Sequence, residues 1–172
     1  MYHKRCNYTN PINIYHICMK LSDNFTLAEL VKSQTAERCG IDNNPDKEQI
    51  ANLVSLCENV LQPIRNYFDK PVVITSGFRS HELSQKIGSS SRSQHCKGQA
   101  ADIEIPGVSN KDLSDWISQN VSFDQVILEF HDPIEPNSGW VHVSFVSEYS
   151  NRENYLIAEK DENGKVRYSK CP

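Results

Sequence analysis

The stretch "SQHCKGQAADIEI", residues 93–105, carries one histidine and one aspartate on either side of a turn of small residues. His95 ends a polar loop. The alternation of apolar and polar residues in "AADIEI" predicts a strand with Asp102 on its polar face. Gly98 and the alanines after it allow the connection to fold tightly, so we expect His95 to come back over Asp102.

A second predicted strand, "WVHVSF" (140–145), carries His142 on its polar face between two valines. If the two strands pair, His95, Asp102 and His142 converge as the three protein ligands of a catalytic zinc site with one open position. Spacing alone does not make this set specific, and a metal-free domain with an ordinary surface histidine is the alternative. Cys96 as a fourth ligand would close the site, and we expect its side chain to point away.

Four stretches resemble the zinc D-Ala-D-Ala carboxypeptidase family, in the order found in that family. "SQHCKGQAAD" (93–102) resembles its S-x-H-x-x-G-x-A-x-D motif, and "ITSGFRS" (74–80) resembles its S-G-[FY]-R-S segment. "GWVHVSF" (139–145) resembles the later strand with the second histidine, and "NFTLAELVKSQTAERCGIDN" (24–43) is similar to the opening of phage and bacterial members. The resemblance covers roughly residues 20–147 and implies the fold shared with vancomycin-resistance dipeptidases and the hedgehog signalling domain.

The resemblance also implies roles for particular residues. One Zn²⁺ per chain would be bound by His95, Asp102 and His142. Arg79 would bind a carbonyl oxygen or a substrate carboxylate and stabilise negative charge in the transition state, although an arginine after a turn is also an ordinary surface ion-pair partner. Ser93 would orient the loop or a ligand beside the metal.

The catalytic base is the point where this chain departs from the family pattern. Many relatives carry it three residues before the last histidine ligand, where this chain has Gly139. The candidates are Glu129, Asp132 and Glu135. We choose Glu129 because it ends a strand, "QVILEF" (125–130), expected beside that of His142, and because "LEF" resembles phage-type relatives. His131 would help to stabilise the intermediate or bind substrate, or it is a solvated loop histidine.

Length and composition limit the class of protein. The chain has 172 residues and a net charge of −4, which suits one globular domain and disfavours general binding to nucleic acid or anionic membranes. No apolar run approaches the roughly 18–20 residues of a membrane-spanning helix. The six cysteines lack a Cys-x-x-Cys pair, so we expect free thiols made in a reducing compartment.

The order of predicted elements is helices first, then strands with short helices between them, which indicates an α+β fold. We expect one compact domain over residues 19–172, with helices packed on a small, mainly antiparallel sheet. Residues 1–18 are expected to be a loose arm or an extension upstream of a start at Met19. The other predicted features are a capping box at Thr26 and Glu29, a helix from Asp46 to Phe68 kinked at Pro63, a buried strand over 71–76, a helix ended by Gly88, a helix over 109–120 capped by Ser109, and a terminal hairpin turning at Asn163-Gly164.

These patterns together predict a zinc metallopeptidase that cleaves an amide bond in peptidoglycan stem peptides, as a D-Ala-D-Ala carboxypeptidase or as an endopeptidase of the phage endolysin type. The alternative is a non-catalytic, zinc-containing module that binds peptidoglycan or belongs to a virion, which the glycine at position 139 favours. We expect a monomer whose partner is a peptidoglycan peptide, with no nucleic acid and no membrane. We also expect synthesis in the cytoplasm without a signal peptide, and action at the cell wall after release.

Overall fold

A computed structural model describes residues 19–171, so the predicted arm, residues 1–18, lies outside the described residues. The strands are β1 (Val73–Ser76), β2 (Ala100–Glu104), β3 (Gln125–Glu129), β4 (Trp140–Ser144), β5 (Asn154–Lys160) and β6 (Val166–Lys170). Within the described residues they form one six-stranded sheet in the order β1-β2-β4-β3-β5-β6. Strands β3 and β5 are parallel and every other neighbouring pair is antiparallel, which confirms the predicted sheet.

The helices are α1 (Leu27–Val31), α2 (Gln34–Cys39), α3 (Lys47–Leu56), α4 (Gln62–Phe68), α5 (His81–Lys86) and α6 (Asn110–Asn120). Their first residues follow the predicted caps. Thr26 and Glu29 form the capping box of α1, and Ser109 accepts a hydrogen bond at the start of α6. Among the residues described, no helix is both long enough and apolar enough to cross a membrane.

Near the predicted kink at Pro63, the structure has a π-helical turn, which is wider than a turn of α-helix. A π-helical turn, Cys57–Leu61, joins α3 to α4, and the Gln62 N–H donates to the Cys57 carbonyl five residues earlier. Proline has no N–H, and its ring clashes with the carbonyl four residues before it in a regular helix. The extra residue in the turn shifts the hydrogen-bond register ahead of Pro63, so the apolar side chains of both helices stay on one side.

The helices cover one face of the sheet. From the sheet the core takes Ala101, Ile103, Val126, Leu128, Val141 and Val143. From the helices it takes Leu27, Leu30, Leu53, Leu56, Ile64, Leu113 and Ile117. Because side chains alternate along a strand, the residues between these point to the other face. That second face carries Asp102, Glu129 and His142, so the polar candidates lie on the side of the sheet away from the helices.

One prediction about burial was wrong. The run "PVVITS" (71–76) was expected to be a buried strand, but β1 is the edge strand, and Val73 and Thr75 are exposed. Its pairing with β2 shifts register between Ile74 and Ser76. Branched apolar residues favour a strand in either position, so composition could not tell an edge strand from a central one.

The terminal hairpin was predicted correctly, as β5 and β6 joined around Asn163 and Gly164.

Candidate metal centre and cleft

Two of the three predicted metal ligands face one another on paired strands. Strands β2 and β4 are antiparallel neighbours, and Asp102 pairs directly with His142. Opposite residues in such a pair extend their side chains from the same face of the sheet. The His142 Nδ1 atom lies 2.9 Å from the Asp102 Oδ1 atom, and both residues are buried. The pairing on which the predicted site depended is therefore present.

The third residue, His95, is held over these strands by a short turn. It lies in a 3-10 turn, Gln94–Lys97, whose Cys96 carbonyl accepts a hydrogen bond from the Gln49 amide of α3 at 3.1 Å. Gly98 ends the turn with φ +70°, and a Cβ there would lie 2.4 Å from the Gln49 carbonyl oxygen. Only glycine permits this close approach in the left-handed conformation. The turn is thus locked against α3 with His95 pointing at the sheet.

Three side-chain atoms form a small triangle at this point. The His95 Nε2 atom lies 3.2 Å from His142 Nδ1 and 3.2 Å from Asp102 Oδ1, and the remaining side measures 2.9 Å. Ligands on a tetrahedral ion with bonds of 2.0–2.1 Å are about 3.3 Å apart. Within the described residues, these three are the group of histidine, cysteine and acidic side chains close enough to hold a metal ion. The donor set fits a zinc ion with little movement.

The tautomer of His95 and the charge of Asp102 also suit metal binding. The His95 Nδ1 atom lies 2.7 Å from the Gly77 carbonyl oxygen, which can only accept, so Nδ1 carries the proton and Nε2 offers its lone pair. Burial alone would raise the pKa of Asp102, but the charges and hydrogen bonds of His95 and His142 outweigh it and lower that pKa. Asp102 is therefore a carboxylate. Two imidazoles and one carboxylate suit zinc and other first-row ions.

The segment "SGFR" (76–79) places a guanidinium beside this group. The Arg79 Nε atom donates to Ser76 Oγ at 2.8 Å, and Arg79 Nη2 donates to Asp102 Oδ2 at 2.6 Å. The Arg79 backbone N–H donates to the His95 carbonyl at 3.2 Å, so the segment and the His95 turn fix each other. The same Nη2 atom lies 3.4 Å from His95 Nε2. Arg79 thus forms an ion pair with Asp102, one of the three candidate metal ligands.

Glu129 lies one strand away from His142 on the same face. Strands β3 and β4 pair so that Glu129 stands opposite Trp140, two residues along β4 from His142. Burial raises the pKa of Glu129, and the negative charge of Asp102 adds to the rise, while His142 and Arg79 act in the opposite direction. A carboxyl group with a raised pKa near a metal group is a candidate for proton transfer.

The backbone explains why position 139 has no carboxylate. Gly139 has φ +67°, and a Cβ there would lie 1.9 Å from the Glu129 carbonyl oxygen. No side chain fits at that distance. Across the same loop, Phe130 adopts φ +54°, a left-handed conformation that costs a non-glycine residue about 1–2 kcal/mol. The backbone at Gly139 therefore packs directly against that at Glu129. Glu129 supplies an acidic side chain near His142, where position 139 cannot.

The three candidate ligands line a cleft of about 530 Å³. Its lining includes Arg79, Ser93, His95, Asp102, Glu129 and His142 among the predicted residues, and also Ser89, Ser90, Arg92, Gln94, Gln125, Ile127, Trp140, Arg152 and Tyr168. Ser93 accepts a hydrogen bond from the His95 N–H at 3.4 Å and so caps the turn that carries this ligand. His131, Asp132 and Glu135 are not part of the lining. The His131 Nδ1 atom is buried without a hydrogen-bond partner among the described residues.

Sequence reasoning missed Asp124, a buried residue that anchors the His95 turn through a hydrogen bond with Gln94. Asp124 is buried and accepts hydrogen bonds from Gln94 Nε2 at 2.9 Å and from Arg152 Nε at 3.0 Å. Burial works against ionisation of Asp124, but these hydrogen bonds outweigh it and lower the pKa of the carboxyl. Gln94 directly precedes His95, so the anchor fixes the turn from a second side. A lone aspartate before a strand gives no sequence signal for this role.

Comparison with known proteins agrees with this geometry. A search of curated proteins finds no match. The sequence profile of the family described as Peptidase M15 matches residues 23–144, more than two thirds of the chain, and confirms the resemblance noted in the sequence. The matched residues contain the three candidate ligands, Arg79 and Glu129. The chain belongs to the peptidase M15 family.

Proposed function

We propose that this protein is a zinc-dependent peptidase that hydrolyses an amide bond in peptidoglycan stem peptides. The single observation that carries the proposal is the buried triangle of ligand atoms from His95, Asp102 and His142, which opens into a cleft also lined by Glu129 and Arg79. Membership of a peptidase family supports hydrolysis rather than ion storage. The three ligands leave one side of the group facing the cleft, as a catalytic rather than structural site requires.

The chain's own residues divide the work. Zinc, held by His95, Asp102 and His142, would supply an activated water molecule and polarise the scissile carbonyl. The Gly77 carbonyl holds the His95 tautomer, which keeps Nε2 free to act as a ligand. Arg79 donates a hydrogen bond to the Oδ2 atom of Asp102. The Oδ1 atom of Asp102 then faces the two histidines.

Glu129 is the proposed general base. It lies on the cleft side of β3, and its raised pKa makes it a stronger proton acceptor than an exposed glutamate. It takes a proton from water and later gives it to the leaving amine. Arg79, which also lines the cleft, stabilises the negative charge that develops on the carbonyl oxygen. Asp132 and Glu135, the other acidic candidates, belong to an exposed loop.

The substrate class rests on the family and on the form of the cleft. The cleft is open, and serines and Arg92 of the loop 89–94 belong to its lining, which suits an extended peptide with free carboxylates. We infer a D-amino-acid-containing stem peptide, cut by carboxypeptidase or endopeptidase action as in phage lysis enzymes. Such an enzyme is made in the cell and acts at the wall after release, through a peptidase domain spanning residues 19–172.

The second candidate is a zinc-containing module that binds peptidoglycan without cleaving it. The glycine at position 139, where many relatives carry the base, favours this alternative. Both candidates use the same three ligands and differ only in whether Glu129 serves as the base. Replacing that single carboxyl therefore separates them.

The test is Glu129→Gln, with Glu104→Gln as the matched control. Glu104 also ends a strand and is half-buried, but it is not part of the cleft lining. We expect Glu129→Gln to keep its zinc and its thermal stability while hydrolysis of purified peptidoglycan falls by about 10²–10⁴-fold. The control should match wild type in zinc content, stability and rate.

Two results would contradict the proposal. Full activity in Glu129→Gln would remove this residue as the base and move attention to Asp132, Glu135 or His131. Stoichiometric zinc in wild-type protein, without cleavage of any type of peptidoglycan, would favour the binding module.

A further inference from the structure

The hairpin formed by β5 and β6 reaches the cleft although it follows the residues matched to the peptidase family, 23–144. The strand register carries one row of residues across the sheet. Trp140 pairs with Glu129, Glu129 with Ala158, and Ala158 with Tyr168. Neighbours in register extend from the same face, so Tyr168 stands on the face that carries Glu129 and the metal group.

Tyr168 is available to a ligand. Its side chain lines the cleft with Glu129, yet it is 59% exposed, and its phenol oxygen makes no hydrogen bond within residues 19–171. Tyr155 on the adjacent strand contrasts with it, because its hydroxyl bonds both Ser114 and Asp115 and ties the sheet to α6. Tyr155 therefore has a structural role in holding the hairpin to α6, whereas the Tyr168 hydroxyl has no partner among the described residues.

The phenol keeps its proton under working conditions. Burial and the nearby Glu129 carboxylate raise the pKa of Tyr168 above its usual value. It is therefore a neutral hydrogen-bond donor wherever Glu129 is ionised. Arg92 and serines of the loop 89–94 line the same cleft. A peptide in the cleft would therefore have both these polar side chains and the Tyr168 ring within its walls.

We propose that Tyr168 is a substrate-binding residue that contacts the peptide on the Glu129 side of the scissile bond. Its phenol donates a hydrogen bond to a carbonyl or carboxylate oxygen of the peptide, and its ring packs against the peptide chain. This inference rests on the proposed function of the same cleft, but it concerns binding of the peptide and not the chemical step.

The first experiment compares Tyr168→Phe with wild type in the hydrolysis of soluble peptidoglycan stem peptides. Tyr149→Phe is the matched control, because Tyr149 is 96% exposed and is not part of the cleft lining. Loss of one hydrogen bond predicts a fall in kcat/KM of about 3–10-fold, carried mainly by a higher KM. The melting temperature should stay at the wild-type value, since a structural role would lower it. Equal KM values for Tyr168→Phe and wild type would overturn the inference.

The second experiment measures binding without turnover. The same stem peptides are titrated calorimetrically into zinc-loaded Glu129→Gln protein, with and without Tyr168→Phe. We expect about 3–10-fold weaker binding when the phenol is absent. If wild type fails to hydrolyse but this difference remains, the catalytic proposal fails and the Tyr168 contact stands. Unchanged affinity, or no binding of any stem peptide, would overturn the contact.

Discussion

The two sides of the cleft are built differently. One side holds the candidate metal ligands His95, Asp102 and His142 on β2, β4 and the His95 turn, where they are buried and backed by the helical layer. The other side is the β5–β6 hairpin, whose outer strand is exposed from Arg167 to Lys170. Each of these three side chains has a hydrogen-bonded partner, whereas the Tyr168 hydroxyl on the second side has none among the described residues.

Under the proposed function, this difference separates the residues of the chemical step from a residue that contacts substrate. Reacting groups must be held within fractions of an ångström, which requires packed neighbours and fixed hydrogen bonds. A residue that only contacts substrate tolerates an exposed strand. The candidate ligands also lie within residues 23–144, the family-matched segment, while the hairpin lies beyond it. We therefore expect substitutions on the two sides to have effects of different size and kind.

The largest difference should come from breaking one ion pair on each side. Asp102→Ala removes the partner of Arg79, whose side chain is only 15% exposed, and should destabilise the protein by about 3 kcal/mol. It should also abolish zinc binding and hydrolysis. Arg167→Ala breaks the hairpin pair with Asp161, in which the arginine is 66% exposed, and should leave stability and zinc content unchanged. Urea denaturation and metal analysis measure both, and equal destabilisation would contradict the contrast.

Two glycines give the next comparison. Gly139 and Gly164 both have positive φ, at +67° and +76°, but only Gly139 has backbone atoms where a Cβ would lie. Gly164→Ala should cost about 1 kcal/mol for its left-handed conformation, and Gly139→Ala about 3 kcal/mol or more, because the Glu129 carbonyl must also move. Denaturation midpoints test this. Similar losses at both positions would mean that the loop beside Glu129 adjusts freely.

The smallest expected effect concerns pH and the anchor behind the His95 turn. The pKa of Asp124 is lowered in the folded protein, so its contribution to stability is present above the unfolded-state value of about 3.9 and is lost as pH falls through the folded-state value. Asp124→Asn should reduce the free energy of unfolding at pH 7 by about 1–2 kcal/mol, since Arg152 is partly solvated. The gap to wild type should narrow below about pH 4. A gap that widens on acidification would contradict this assignment.

The sequence placed Asp102 and His142 on one face because a strand fixes which residues share a face. The alternation around Asp102 and His142 and the capping signals at Thr26 and Ser109 are local, and the structure follows them. Long-range neighbours have no such signal. The strand order, which places β1 at an edge and Tyr168 in the row of Glu129, follows from how distant segments pack. The same holds for the bond between Asp124 and Gln94, which lie thirty positions apart.

The most direct test of the central claim is zinc content measured together with the products released from purified peptidoglycan, for wild type and His142→Ala in parallel. The proposed mechanism predicts about one zinc ion per wild-type chain, fragments whose masses identify the cleaved bond, and loss of both in the variant. Wall cleavage that persists in His142→Ala, or wild-type protein that binds no zinc, would contradict it.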